Sequence, residues 1–212
     1  MENKTNFLII VPTLNSYKYL NKLIISLKTQ TYLNWRTVFI DGNSSPEHKK
    51  YLKSLCSDNR FVILQENYIS KGLYQAMSQG VEVASEEDWV IFLGSDDWVN
   101  SPFSLEIMNK YIKKSKGFNK FNLLVYGTQF IQKHNNNVLR VNQVPTKFKA
   151  YFSKLLFFGY MPMHHSACFS SKLIKKNMPY NYQFQLAADC DLFLKLSKDK
   201  NLKINFVNDI LI

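Results

Sequence analysis

The sequence predicts an α/β protein whose core is a mostly parallel sheet covered by helices on both faces. Strand-like and helix-like stretches alternate through the first 130 residues, the pattern that a parallel sheet with crossover helices requires. The run Trp89-Val90-Ile91-Phe92-Leu93 is apolar throughout and rich in β-branched and aromatic types, as in a strand buried on both faces. Acidic residues stand just after two of the strands, at the carboxyl ends where open α/β sheets bind ligands. At 212 residues, 46% apolar and 20% charged, the chain suits one globular domain with a substantial core.

Phe7-Leu8-Ile9-Ile10-Val11 reads as a first buried strand stopped by Pro12, with Thr13-Leu14-Asn15-Ser16 as turn and cap residues. Leu20, Leu23, Ile24 and Leu27 then recur at helical spacing, and Trp35 to Ile40 supplies the parallel partner strand, ending in Asp41-Gly42-Asn43-Ser44-Ser45. A short helix over 47–56 leads to a third strand, Phe61-Val62-Ile63-Leu64. After Lys71-Gly72 the stripe Leu73, Ala76, Met77, Gly80, Val81, Ala84 has helical period, and its small residues predict close packing on the sheet. The strand ending at Leu93 comes next, then a helix from Ser101 to about Ser115 and a strand from Asn122 to Gly127.

The second half is less regular. Lys133-His134-Asn135-Asn136-Asn137 reads as a hairpin loop before a strand at Val138–Val141. Phe148 to Tyr160 carries Phe152, Leu155, Leu156, Phe157, Phe158 and Tyr160 beside lysines, an amphipathic surface segment or, as aromatic stripes usually pack inward, core or acceptor-site wall. Met163-His164-His165-Ser166 is a loop entering a strand, Ala187 to Leu196 a helix with Asp189 in its first turn, and Ile204–Val207 a closing strand. The stop after Ile210-Leu211-Ile212 predicts a shortened version of a longer chain.

Net charge is +11, unevenly spread: residues 1–100 hold 10 basic and 11 acidic side chains, a net −1, whereas residues 101–212 hold 17 and 5, a net +12. Clusters such as Lys110-Lys113-Lys114-Lys116 and Lys172-Lys175-Lys176 favour anionic partners: nucleic acid, an acidic membrane surface or a phosphorylated lipid. For any single cluster a solvated lysine-rich surface is the favoured reading. Cys56, Cys168 and Cys190 are odd in number and lack ligand spacing, so free thiols packed as small apolar residues are expected, with neither a disulfide framework nor a zinc site. No apolar run approaches the ~20 residues that span a bilayer, and the start lacks a signal peptide, which predicts a cytoplasmic location.

The chemistry concentrates at Gly94-Ser95-Asp96-Asp97. Two adjacent carboxylates directly after a buried strand repel and lose hydration, so a cation between them makes sense of the pair, and hard oxygen ligands suit Mg²⁺ or Mn²⁺ with phosphates completing the shell. A plain polar turn whose Ser or Asp caps the next helix is the competing reading. Asp189 is open in the same way: a carboxylate placed for acid–base work, or a first-turn residue favoured by the helix dipole.

Five stretches together resemble the nucleotide-sugar-dependent glycosyltransferases of family two, which have the GT-A fold: Val11-Pro12-Thr13-Leu14-Asn15, Ile40-Asp41-Gly42-Asn43-Ser44-Ser45, Lys71-Gly72-Leu73-Tyr74-Gln75-Ala76-Met77, Phe92-Leu93-Gly94-Ser95-Asp96-Asp97 and Ala188-Asp189-Cys190-Asp191-Leu192-Phe193-Leu194. They occur in the family's order, and the version here is similar to bacterial transferases that build surface polysaccharides. The resemblance implies a single GT-A domain over 1–212 with a smaller C-terminal acceptor-side region, residues 1–100 mainly binding the nucleotide-sugar and residues 101–212 completing the metal site, the acceptor side and the base. It implies that Pro12, Thr13 and Asn15 lie beside the nucleotide and that Asp41 accepts from the base, commonly uracil, an imide N–H suiting an acceptor-only carboxylate. It places Lys71 and Gly72 beside the diphosphate, Ser95 and Asp96 against the donor, and Asp96 and Asp97 on Mn²⁺ or Mg²⁺. Asp189 matches the general base of an inverting displacement, with Asp191 as its rival. His164 and His165 are open to the metal, the diphosphate, the acceptor or a structural role. The implied donor is a UDP-sugar and the implied acceptor a glycan or lipid-diphosphate-linked chain, with the basic half turned to an anionic inner membrane surface.

Pro46 stands where many members carry an acid or a small polar residue, and Gly94 replaces a residue with a side chain. Two rival classes are a basic nucleic-acid-binding module and a non-catalytic homologue. No nucleic-acid motif is present to make specific binding, and a non-catalytic homologue would have lost a carboxylate among Asp41, Asp96, Asp97 and Asp189.

Overall fold

The computed structural model describes residues 4–67, 72–115, 120–131, 137–144 and 152–212. β1 (Asn6–Thr13), α1 (Leu20–Lys28), β2 (Trp35–Asp41), α2 (Pro46–Leu55), β3 (Phe61–Gln65), α3 (Leu73–Glu82) and β4 (Asp88–Phe92) alternate in the predicted order. The strands lie as β3-β2-β1-β4, all parallel, so their carboxyl ends share one edge. Then follow α4 (Ser104–Lys114), β5 (Leu123–Ile131), β6 (Val138–Asn142), α5 (Phe152–Phe157), a 3-10 turn at His164–Ser166, β7 (Ala167–Ser170), α6 (Ser171–Lys176), α7 (Ala188–Ser197) and β8 (Ile204–Ile210). β7 runs antiparallel between β4 and β5, β6 makes an antiparallel hairpin with β5, and β8 pairs parallel to β5.

Alternate residues of the central strands feed two cores. Leu8, Ile10, Val90 and Phe92 face α3, α6 and α7, while Phe7, Ile9, Ile91 and Leu93 face α1, α2 and α4. Burial on both faces is the reason these strands read as unbroken apolar runs. The small-residue stripe of α3 does pack closely: a Cβ on Gly80 would lie 2.4 Å from Ile10 Cγ2.

Several expectations change. β1 continues through Pro12 to Thr13. Ile10 O accepts from Leu93 N, so Pro12, two residues on, turns its missing donor to the same side, where β4 has already ended. Leu73 heads its stripe but is exposed, and β5 extends four residues past Gly127. The aromatic stripe splits: Phe152 and Leu155 are buried, whereas Phe157 and Phe158 are 85% and 81% exposed. Phe148, the loop residues 133–136 and Lys116 lie outside the described residues, as does Lys71. All three cysteines are free, but Cys56 is exposed and only Cys168 is fully buried, so the small-apolar reading holds for Cys168 and fails for Cys56. Among the described residues no helix is long and apolar enough to cross a membrane.

Candidate active site

The loops after β1 and β2 interlock at the shared carboxyl edge. Asn15, at φ 52°, donates its N–H to Ser44 Oγ at 2.9 Å and accepts from Ser45 N on its Oδ1 at 2.8 Å. Gly42 N donates to Thr13 O at 2.8 Å. Pro12 is half-buried and Thr13 buried at this seam, with Asn15 exposed above it. Asn15 thus spends its carbonyl on holding the loop. Asp41 is 1% exposed, and both its oxygens lie 3.3 Å from Ser44 N.

α2 begins beside this seam because Ser45 caps it, accepting from His48 N, and Pro46 occupies the first helical position, where its missing N–H costs nothing. That gives Pro46 a local reason. It also brings His48, with no exposed surface, to 3.8 Å from Asp41 Oδ1, with Tyr17 edge-on to its ring. Neither ring nitrogen of His48 has a hydrogen-bond partner among the described residues, and burial holds its pKa below the ordinary value against the pull of Asp41. His48 was not singled out from the sequence, although His48, Leu52 and Leu55 recur at the spacing of a buried helix face.

At the head of α3, Gly72 adopts φ 122° and its N–H is taken by Glu66 Oε1 at 2.7 Å. An oxyanion therefore already sits at the donor assigned to diphosphate. Lys71, beside it, is outside the described residues.

After β4 the chain turns at Gly94-Ser95-Asp96-Asp97. Asp97 Oδ2 accepts from Gly94 N at 2.7 Å, and a Cβ on Gly94 would lie 3.0 Å from that oxygen and 3.2 Å from Asp96 Oδ1. Glycine here leaves room for both carboxylates. Asp96 is exposed, Ser95 half-buried, and Asp97 half-buried with His165 Nδ1 4.0 Å from its Oδ2. Asp96, Asp97 and His165 also line a cavity of about 310 Å³ with Trp98, Gln129 and Ile212.

The 3-10 turn sends its two histidines to different neighbours. His165 faces Asp97, while His164 stacks on Phe92, with centroids 4.6 Å apart, and its Nε2 lies 2.6 Å from Tyr180 Oη. Burial pushes the His164 pKa down to about 4, against the attraction of Asp189. Tyr180 is fixed to α3 through its N–H to Ser78 Oγ, and its ring packs on Tyr74 at 5.2 Å.

Tyr74 Oη donates to Asp189 Oδ1 at 3.0 Å, and Cys190 N donates to the same oxygen at 2.9 Å. Burial and the Asp189 charge push the Tyr74 hydroxyl up to about 12, so it stays a donor. The two C-terminal acids then diverge: Asp191 Oδ2 lies 2.7 Å from Lys195 Nζ one helical turn on, away from Tyr74. Tyr74 lay within a quoted motif but without a role, and nothing in the sequence pointed to Tyr180. No group of three His, Cys, Asp or Glu side chains spaced to hold a metal is found among the described residues.

The molecule matches known proteins along most of its length. A PGL/p-HBAD biosynthesis glycosyltransferase of Mycobacterium bovis is 25% identical over 207 residues, covering 95% of this chain and 73% of that one. The Escherichia coli UDP-Glc:alpha-D-GlcNAc-diphosphoundecaprenol beta-1,3-glucosyltransferase WfgD is 26% identical, covering 92% and 70%. Among solved structures, S. aureus TarS 1-349 in complex with UDP-GlcNAc superposes at a TM-score of 0.74 and 17% identity. The match covers 97% of this chain but 57% of that one, so the chain spans less than two thirds of that protein's length. A mannosyltransferase of Pyrobaculum calidifontis, in complex with GDP-Man and Mn2+, superposes at 0.68 with 12% identity, covering 99% and 57%. These likenesses show the GT-A fold. The family model of glycosyl transferase family 2 matches residues 8–176, from β1 through the paired carboxylates to α6, and the chain belongs to that family of glycosyltransferases.

Proposed function

We propose that the protein transfers a sugar from a UDP-linked donor, with inversion, to a hydroxyl of a glycan carried on a lipid diphosphate, in the synthesis of a surface polysaccharide at an anionic inner membrane face. The observation that carries the reading is the placing of carboxylates at the carboxyl ends of parallel strands of one sheet, buried Asp41 ending β2 and Asp96 and Asp97 after β4, with Asp189 tied to the head of α3 by Tyr74. The names of relatives support the substrate class, since WfgD is described as acting on a sugar-diphosphoundecaprenol with UDP-Glc. In this reading residues 1–100 bind the donor and residues 101–212 complete the site.

Asp41 accepts the imide N–H of uracil, with Pro12, Thr13 and Asn15 along the nucleotide and Ser95 and Asp96 against its far end. The diphosphate replaces Glu66 at Gly72 N–H, where the start of a helix favours an anion. Asp97 and His165 fit one divalent cation: an oxygen and a nitrogen 4.0 Å apart can both reach it, and the mixed set suits Mn²⁺ more than Mg²⁺. Asp97 and His165, with Asp96 beside them, would hold the ion, which when bound would supply charge neutralisation for the sugar–phosphate bond that breaks. Asp189 takes the proton of the acceptor hydroxyl as that oxygen attacks the anomeric carbon. Both its hydrogen bonds fall on Oδ1, which leaves Oδ2 for the acceptor and fixes the carboxylate's rotation. His164 is held by Tyr180 and Phe92, and backs the site as a neutral ring.

Thermal melting with UDP, with GDP and without nucleotide, each in Mn²⁺ and in EDTA, tests this. A ligand at a hundred times its dissociation constant adds roughly 2.7 kcal/mol, so UDP with Mn²⁺ is expected to raise the melting point clearly, and UDP in EDTA much less. Equal stabilisation in EDTA removes the metal role. Stabilisation by GDP alone overturns the uridine donor.

A further inference from the structure

His48 is a buried imidazole that the proposed transfer does not use. It lies in the first turn of α2, pinned by its own N–H to the Ser45 cap, and no part of it reaches solvent. A neutral imidazole carries one N–H and one lone pair, and a buried donor without an acceptor is costly to keep. Here both ring nitrogens lack partners among the described residues, and the nearby charged acceptor is Asp41 Oδ1, 3.8 Å from Nε2. That gap is about an ångström beyond a hydrogen bond. Among the described residues the carboxylate is held by two 3.3 Å contacts from Ser44 N, shared between its oxygens, a weak clamp for a group that must present one oxygen in one direction. Tyr17 covers one side of the imidazole and Tyr17 itself packs on Tyr51, so the ring cannot swing out to water.

We propose that His48 is a positioning residue for base recognition: its Nε2–H closes onto Asp41 Oδ1 when a uracil ring enters, tying down one carboxylate oxygen so that the other meets the base imide N–H. The inference rests on the reading of Asp41 as the base acceptor. Its consequence is specificity: with His48 in place the carboxylate is locked in the rotation that one imide geometry fits, and without it Asp41 can turn and discriminate less.

The test compares binding of UDP and of N3-methyl-UDP, which lacks the imide N–H, to the full chain by calorimetry in Mn²⁺. Wild type is expected to prefer UDP by about tenfold or more, the size of a hydrogen bond to a charged group. Asp41→Asn and His48→Phe should each cut that preference several-fold, while His48→Gln, whose amide can still donate to Oδ1, should keep most of it. A change in packing alone would weaken both ligands alike and leave the ratio unmoved. If Asp41→Asn lowers the ratio and folded His48→Phe keeps it, His48 has no positioning role and the base reading stands. An unchanged ratio in Asp41→Asn overturns the base reading together with this inference. Should His48→Phe fail to fold, ¹⁵N spectra of the wild-type imidazole decide: UDP is expected to move the Nε2–H resonance downfield in a neutral ring, and an unmoved resonance at saturation overturns the proposal.

Discussion

Asp189 and Asp191 are two residues apart on one helix, and that spacing separates them by about 200° around its axis. The structure gives them different company: Tyr74 and Cys190 N for the first, Lys195 for the second. Removing a general base slows the chemical step by roughly 10²–10⁴-fold while leaving donor binding alone. Asp189→Asn is therefore expected to lose transfer at saturating donor with UDP affinity near wild type, and Asp191→Asn to keep most of its rate. The reverse result moves the base to Asp191, and full activity in both leaves the inverting step without a proton acceptor. His48 carries a second prediction at this scale. Its folded pKa lies below the unfolded value of about 6.5, so the unfolded chain binds the proton first as pH falls. The stability it contributes is complete above that value and is lost on acidification towards its folded pKa. The groups facing it are Asp41 from β2 and Tyr17 from the loop between β1 and α1, with Tyr51 behind Tyr17. Urea midpoints should decline between pH 7 and pH 5, and His48→Phe should show a shallower decline. An identical slope in that variant would assign the decline elsewhere, with His164 next in line at about 4.

The way α3 lies on β1 sets where Tyr74 and Gly72 reach the site. Gly80 is the contact point, and a methyl there would meet Ile10 Cγ2 at 2.4 Å in a part of the core with no slack. Alanine gains about 1 kcal/mol of helix propensity over glycine, but overpacking a core costs typically 1–3 kcal/mol. Gly80→Ala is expected to lower the urea midpoint by a net loss of about 1 kcal/mol and to weaken UDP binding by shifting α3. A stabilised variant would show that the helix rises off the sheet freely. At the opposite end of the sheet, Arg36 from β2 grips Asp88 of β4 through two bonds, at 3.0 and 2.6 Å. The Asp88 side chain is wholly buried, so Arg36→Ala leaves a buried charge with no ion-pair partner and the Ser85 N–H as its remaining bond, for which a loss of roughly 3 kcal/mol is expected with no change in UDP affinity.

The two halves of the chain differ in field as well as in topology. The +12 on residues 101–212 accompanies exposed Phe157 and Phe158 and the exposed run Tyr182–Ala187 just before Asp189. Basic charge beside solvent-exposed apolar side chains complements an anionic bilayer and a lipid-linked acceptor. Vesicles with anionic lipid are expected to sediment the protein at low salt and to release it near physiological salt, where the Debye length is ~8 Å. Phe157→Ser with Phe158→Ser should weaken that binding at constant charge. Tight, selective binding of double-stranded DNA without vesicle binding would overturn the membrane reading.

The βα alternation, the two-faced burial of the central strands, the close fit of α3 and the family were all legible in the sequence. Each follows from local spacing: runs of β-branched residues, helical periods and short motifs whose turn chemistry is written in neighbouring residues. What the tertiary structure decided is which distant groups meet. Asp41 with His48, His165 with Asp97, and Tyr74 with Asp189 across 115 positions depend on how α2, the 3-10 turn and α7 are laid against the sheet, and no local period encodes that. Spacing alone left the neighbours His164 and His165 open to the same roles. Packing separates them, because adjacent side chains on a tight turn point to different sides, and the fold puts His165 beside Asp97 and His164 between Phe92 and Tyr180.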